Sequence, residues 1–387
     1  MICFAWAGFP QYAARCIREV VKRSEERIVV IGGRPRVPIK GMEGLCGCKV
    51  IWVNYEDKVT LKELLGGELP RVLFMTGWSV KLFQSFRDEV KANGGGVVCL
   101  VDNNFKLNNF SISSFHCWND LFREIAKAIR FRLGICKRYD AFLVPGESGT
   151  KLMSFYGARG NRVREGMYAA DDSLFTSETP ITERPKKIIY VGQYIERKNV
   201  LRLIEAFSRA ALSLKAGYFL EMYGSGILKD RLVRRAEELN EALGRVGSYI
   251  RVNDFVQPEE LAPLYHTARV FCLPSYEDHW GLVVHEAALS GCFLLLSQYV
   301  GAAEDFLVAK ENGDGYINGG MFDPYSTKAM VKAFKHVMQI DDADAERAQS
   351  EGLRAAQSTS TRKFAQAILD LAKTNSAYAK NQAVKGQ

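Results

Sequence analysis

The sequence predicts an α/β protein made of two halves, each built on a parallel sheet. Three observations lead there. Short apolar runs alternate with helix-period segments from end to end, the pattern of strand–helix–strand units. The chain has 387 residues, too many for one ordinary domain. The stretch Thr176-Ser177-Glu178-Thr179-Pro180-Ile181-Thr182-Glu183-Arg184-Pro185 is polar and aperiodic and carries two prolines, so it reads as a linker.

These features set a first domain at 1–177 and a second at 186–360. In the first, strands are expected at 2–6, 27–32, 49–53, 72–75, 97–102, 141–144 and 162–163, with helices such as 12–25 and 79–93 between them. In the second, strands are expected at 187–191, 218–223, 249–253, 270–273 and 293–297. A last helix over 361–374 is expected to cross back onto the first domain, leaving 375–387 as a disordered tail. In open parallel sheets ligands bind beyond the carboxyl ends of strands. Two such halves imply a central cleft faced by both sheets, lined by loops that follow strands.

Composition narrows the function classes. Apolar residues make up 47% and charged residues 25%, the balance of a soluble globular protein. No stretch approaches the roughly 20 apolar residues of a spanning helix. The first residues, Met1-Ile2-Cys3-Phe4-Ala5-Trp6, lack a basic leader and read as a buried strand. The nine cysteines have no recurring metal spacing, which points to reduced thiols in the cytoplasm. The net charge of +8 favours anionic partners, and no nucleic-acid reading module accompanies it.

The most informative stretch is Pro274-Ser275-Tyr276-Glu277-Asp278-His279-Trp280-Gly281-Leu282-Val283-Val284-His285-Glu286-Ala287. It runs from a strand through a polar turn into a helix. Gly281 lets a ligand approach the backbone. The amides of Gly281, Leu282 and Val283 open the helix without an intrahelical partner and, with the helix dipole, form a seat for phosphate. Asp278 and Glu286 flank that seat and suit sugar hydroxyls.

This stretch resembles the signature of retaining GT-B glycosyltransferases of the glycosyltransferase 4 type, the group 1 glycosyltransferases. That signature is two acids separated by seven positions, with a Trp-Gly or Phe-Gly pair between them. Here the acids are Asp278, one carbon shorter than the usual Glu, and Glu286; Glu277 is an adjacent substitute for the first. The resemblance covers almost the whole chain and is strongest from 188 to 307. It implies the GT-B architecture, two Rossmann-like domains whose parallel sheets face a cleft. It places Gly8, after the first strand, beside the donor diphosphate. Asp102, which closes the strand at 97–102, stands where many members carry a His that touches the transferred sugar. In Tyr190-Val191-Gly192-Gln193-Tyr194-Ile195-Glu196-Arg197-Lys198 it implies a diphosphate site with Lys198 as the family lysine. Gln193 replaces an arginine, and Arg197 is left to supply the missing charge. Gly192, Gly224, Phe255 and Val256 are implied to line the nucleotide, together with His279, Trp280, Gly281, Leu282 and Val283.

The implied activity is a metal-independent, hexosyltransferase-like transfer with retention. The donor is a nucleotide-diphosphate sugar, the acceptor a hydroxyl of a carbohydrate or lipid-linked partner, and no cofactor takes part. Glu286 would bind ribose and Asp278 the transferred sugar. Lys198, Arg197 and the helix amides would stabilise charge on the leaving diphosphate, at on the order of 3 kcal/mol per well-placed donor. The basic, aromatic helix over 117–133 also offers peripheral contact with an anionic membrane, and His116 beside it is a candidate acceptor-side base. Three alternatives stay open: a nucleotide-sugar epimerase of the same fold, an inactive sugar-nucleotide-binding protein, and a basic nucleic-acid binder.

Overall fold

A computed structural model describes residues 1–33, 41–103, 105 and 115–385, without the side chains of 115–120 and 376–385. The chain divides into two compact units, Met1–Asp171 with Thr359–Gln387, and Asp172–Ser358. The division falls ahead of the expected linker, so 172–185 belongs to the second unit. That segment is tied down: the Ser177 amide donates to the Leu289 carbonyl at 3.3 Å. The buried Arg184 guanidinium donates to the carbonyls of Ala268 at 2.9 Å and Thr179 at 2.7 Å.

The first unit holds β1 (Ile2–Trp6), β2 (Ile28–Gly33), β3 (Lys49–Val53), β4 (Val72–Thr76), β5 (Gly96–Leu100), β6 (Ala141–Val144) and β7 (Val163–Glu165). They form one parallel sheet in the order β3-β2-β1-β4-β5-β6-β7. β1, β5 and β6 are buried along their whole length. That is why they read as continuous apolar runs and not as alternating ones. Cys3, Ala5, Leu73, Met75, Phe83, Phe86 and Phe142 belong to one core.

The last helix, Thr361–Lys385, lies against the helix Gln11–Arg23 and β5. Arg71 donates to the Ala372 carbonyl at 2.5 Å. A Cβ at Gly96 would stand 3.0 Å from Asn375 Cβ, so the glycine admits the helix closely. The helix runs past 375 to Lys385. No Gly or Pro interrupts it, and alanines recur along it.

The second unit holds β8 (Lys187–Val191), β9 (Phe219–Tyr223), β10 (Tyr249–Asn253), β11 (Val270–Leu273), β12 (Phe293–Ser297) and β13 (Gly319–Phe322). The order is β10-β9-β8-β11-β12-β13, again all parallel. β13 is not legible as a strand because it opens with Gly319-Gly320, poor strand formers. Its neighbour requires that choice: a Cβ at Gly319 would sit 2.5 Å from the Leu294 carbonyl oxygen.

Candidate active site

Strand order decides where the second unit can hold a ligand. β8, β9 and β10 run outward in one direction, and β11 begins again on the other side of β8. In open parallel sheets, such a reversal at the carboxyl ends of the strands is where ligands bind. The loop after β8 carries Lys198, and the loop after β11 carries Asp278.

The two side chains meet there. The Lys198 ammonium donates to Asp278 Oδ2, and each residue is only 8% exposed. Ser275 Oγ reaches the same oxygen at 3.4 Å. Lys198 ends a short 3-10 turn, Glu196–Lys198, and Asn199 then takes a left-handed conformation at φ 56°. Asn tolerates that region better than most residues. Its side-chain Nδ2 donates to the carbonyls of Pro274 at 3.2 Å and Pro324 at 3.0 Å. The turn is thereby fixed against the β11 loop. The Asp278 amide donates to the Tyr299 carbonyl at 3.1 Å, and the Gly301 amide to the Asp278 carbonyl at 3.2 Å.

Arg197 is exposed. It ties the same loops through backbone, with Nη1 on the Glu277 carbonyl at 2.5 Å and its own carbonyl accepting from the Tyr276 amide at 2.9 Å. Asp278, not its neighbour Glu277, takes the lysine. The Glu277 carboxylate lies 3.7 Å from the imidazole of His279, which is exposed.

Gly281, at φ +90°, starts the helix Leu282–Leu289. A side chain is strained in that region, so the sharp entry calls for glycine. Among the described residues the amides of Gly281, Leu282 and Val283 have no acceptor, and all three residues are partly exposed. Glu286 lies in this helix and is buried, its Oε2 accepting from the Tyr265 hydroxyl at 3.2 Å. Burial pushes its carboxyl up to about 7, and the hydrogen bond from Tyr265 opposes that only in part. A buried acid held near neutrality can exist in either charge state at working pH.

The loops after β8 and β9 are packed backbone on backbone. The Gly192 amide donates to the Tyr223 carbonyl at 3.0 Å, and a Cβ on Gly224 would fall 1.9 Å from the Gly192 oxygen. The Tyr194 hydroxyl donates to the Asn253 carbonyl at 2.7 Å, tying in the loop after β10. That loop presents Phe255, 49% exposed, with Val256 partly exposed beside it. Gln193 is exposed, and its carbonyl accepts from the Tyr190 hydroxyl at 2.9 Å.

The Trp280 ring is turned inward. It is 2% exposed and packs edge-on against His285 and Phe306. The indole N–H donates to Asp305 at 2.5 Å. The tryptophan ring therefore anchors the turn from beneath. In the first unit, Gly8 follows β1 at the reversal between β1 and β4, at φ +60°, with its amide on the Tyr55 hydroxyl at 2.9 Å. Asp102 follows β5 and accepts from the Tyr168 hydroxyl. His116 lies on the helix Phe115–Arg130, but its side chain is outside the described residues.

Sequence reasoning missed Tyr265, Ser275 and Asp305. Tyr265 stands 21 residues before Glu286 on a different helix, and only folding brings them together. Ser275 is three residues from Asp278, so the polar cluster around that acid was the available signal.

Residues 172–354, nearly all of the second unit, match the family model for glycosyl transferases group 1. Two curated relatives align over part of the chain. A Campylobacter jejuni GalNAc-alpha-(1->4)-GalNAc-alpha-(1->3)-diNAcBac-PP-undecaprenol alpha-1,4-N-acetyl-D-galactosaminyltransferase is 23% identical over 46% of this chain and 46% of its own length. An Escherichia coli O-antigen chain mannosyltransferase B is 28% identical over 43% of this chain and 40% of its own. The chain thus matches under half the length of either. The crystal structure of Anabaena Alr3699/HepE with UDP and glucose matches with a TM-score of 0.66 at 14% identity, over 97% of this chain and 100% of that one. This likeness establishes the fold, two Rossmann-like parallel-sheet domains of the GT-B type.

Proposed function

We propose that this chain is a retaining glycosyltransferase that moves a sugar from a nucleotide-diphosphate sugar to an acceptor hydroxyl, in the synthesis of a polysaccharide or glycolipid. The observation that carries the reading is the Lys198–Asp278 pair, at the strand reversal of a group 1 glycosyl transferase domain, with a buried acid further along in the helix that opens just after it.

The proposed chemistry follows from these groups. The amides of Gly281, Leu282 and Val283 take the donor pyrophosphate at the helix start. Arg197 and Lys198 supply positive charge to the leaving diphosphate, so no divalent cation is required of the mechanism. For Lys198 this means sharing its ammonium between Asp278 and phosphate. Asp278 accepts from hydroxyls of the transferred sugar, Glu286 in its ionised form accepts from the ribose, and Phe255 offers a face to the base. The acceptor attacks from the side of the departing phosphate, which takes the proton and leaves the anomeric configuration unchanged. HepE binds UDP and glucose, and the Campylobacter relative acts on a polyprenyl-diphosphate acceptor. The first supports a sugar nucleotide as donor here, and the second a lipid-linked glycan as acceptor.

The test is transfer from a panel of UDP-, GDP- and ADP-sugars to lipid-linked and free glycans, with and without EDTA, read by NMR of the new linkage. Retention of the donor's anomeric configuration, unchanged by EDTA, is expected. An inverted product, or donor isomerisation with no acceptor present, would overturn the assignment.

A further inference from the structure

The helix Phe115–Arg130 and the wide π-turn that continues it, Phe131–Ile135, present two opposite faces. One is built into the first unit. Glu124, Ala128 and Phe131 are 6% exposed or less, and Glu124 accepts from the Tyr156 hydroxyl at 2.6 Å. The other face holds Phe122, Ile125, Ile129 and Leu133, which are 65%, 40%, 54% and 79% exposed. Their spacing of three, four and four residues puts them in one stripe. At 1.5 Å per residue the stripe is about 16 Å long. The other exposed large hydrophobic side chains among the described residues, such as Ile227 and Phe255, lie on loops, turns or a strand.

Charge surrounds the stripe with one sign. Between 121 and 138 the sequence has six Lys or Arg and a single acid, Glu124, which is buried and paired with Lys127 at 2.6 Å. Arg123, Arg130, Lys137 and Arg138 are exposed. A contiguous apolar stripe left in water costs free energy unless something covers it. A neighbouring copy of this chain would bring the same cations against these. An anionic bilayer supplies both an apolar layer for the stripe and phosphates for the basic flank. No helix among the described residues is long and apolar enough to cross a membrane.

We propose that this face docks the chain onto an anionic membrane, with Phe122, Ile125, Ile129 and Leu133 in the acyl boundary and Arg123 and Arg130 on lipid phosphates. The inference goes beyond the proposed transfer reaction and stands without it. The test is co-sedimentation of the full chain with vesicles of phosphatidylcholine alone or mixed with phosphatidylglycerol. Binding is expected on the mixed vesicles, weakening as salt rises from about 0.1 M to about 0.5 M. The triple variant Phe122→Ser, Ile129→Ser, Leu133→Ser should bind at least about 100-fold more weakly with an unchanged circular dichroism spectrum, since each buried large side chain is worth about tenfold. Phe122→Ala alone should lose about tenfold, which keeps the proposal testable if the triple variant misfolds. Arg123→Glu with Arg130→Glu should remove the preference for phosphatidylglycerol. No vesicle binding, equal binding by all variants, or a wild-type dimer that the triple variant dissociates would each overturn the proposal. No sugar transfer is measured, so this outcome is independent of the reaction.

Discussion

Glu286→Gln separates what the carboxyl does for function from what it costs in stability. The group titrates near 4.5 in an unfolded chain and near 7 in the fold, because it is buried. Below pH 4.5 it is protonated in both states and its burial carries no ionic penalty. Between 4.5 and 7 the unfolded chain ionises first, so stability falls as pH rises; above 7 the loss is complete. The full effect is on the order of 3 kcal/mol, of which about 2.5 kcal/mol develops between pH 5 and pH 8. Gln keeps the size and an oxygen for Tyr265 but cannot ionise. Its melting-temperature advantage over the wild type should therefore grow by about 5–10 °C between pH 5 and pH 8, read by calorimetry of the second unit's transition. The same variant should lose about 100-fold in kcat/KM, because the charged acceptor for ribose hydroxyls is gone. Wild-type donor affinity should rise with pH towards 7. An equal melting advantage at both pH values, or undiminished transfer, would refute the reasoning.

Other perturbations test the remaining parts of the site. Lys198→Ala strands the buried Asp278 carboxylate, so it should destabilise the second unit by about 3 kcal/mol. A double-mutant cycle with Asp278→Asn should recover much of that loss, and additive losses would mean the pair is not coupled. Gly224→Ala forces a methyl into the Gly192 carbonyl and should lower stability by about 2 kcal/mol or more, measured by thermal unfolding. Phe255→Ala should raise the donor KM about tenfold at constant melting temperature, since the ring is exposed. Trp280→Phe should do the reverse, losing about 1–2 kcal/mol of stability with its Asp305 hydrogen bond while the donor KM holds. If Trp280→Phe moved the donor KM and left the melting temperature unchanged, the buried placement of its ring would be wrong.

Much of the fold could be read from local pattern. Ile2–Trp6, Lys49–Val53, Lys187–Val191, Tyr249–Asn253 and Phe293–Ser297 stand where the apolar runs placed them. Lys49–Val53 and Tyr249–Asn253 are edge strands, legible from their β-branched and aromatic residues. Ile2–Trp6, Lys187–Val191 and Phe293–Ser297 lie between two neighbours, and such a covered strand needs a nearly unbroken apolar run that survives in one-dimensional sequence. The β13 strand did not, because its glycines answer to the Leu294 carbonyl of another strand. Residues 176–185 looked like a linker, since polar residues and prolines say nothing of the Leu289 and Ala268 carbonyls they meet.

For the site, the sequence by itself determined the chemistry on offer: a glycine entry to a helix, two acids around it, and a lysine after an earlier strand. Chain-local spacing carries that information, because the turn and the first helical residues are neighbours in both sequence and space. Only tertiary structure decided who meets whom. Strand order set Lys198 on Asp278 across 80 residues, and helix packing set Tyr265 on Glu286 and buried the carboxyl enough to shift its titration. It also turned Trp280 inward, since an indole needs an apolar wall and a hydrogen-bond acceptor, and Phe306 and Asp305 provide them from a different helix.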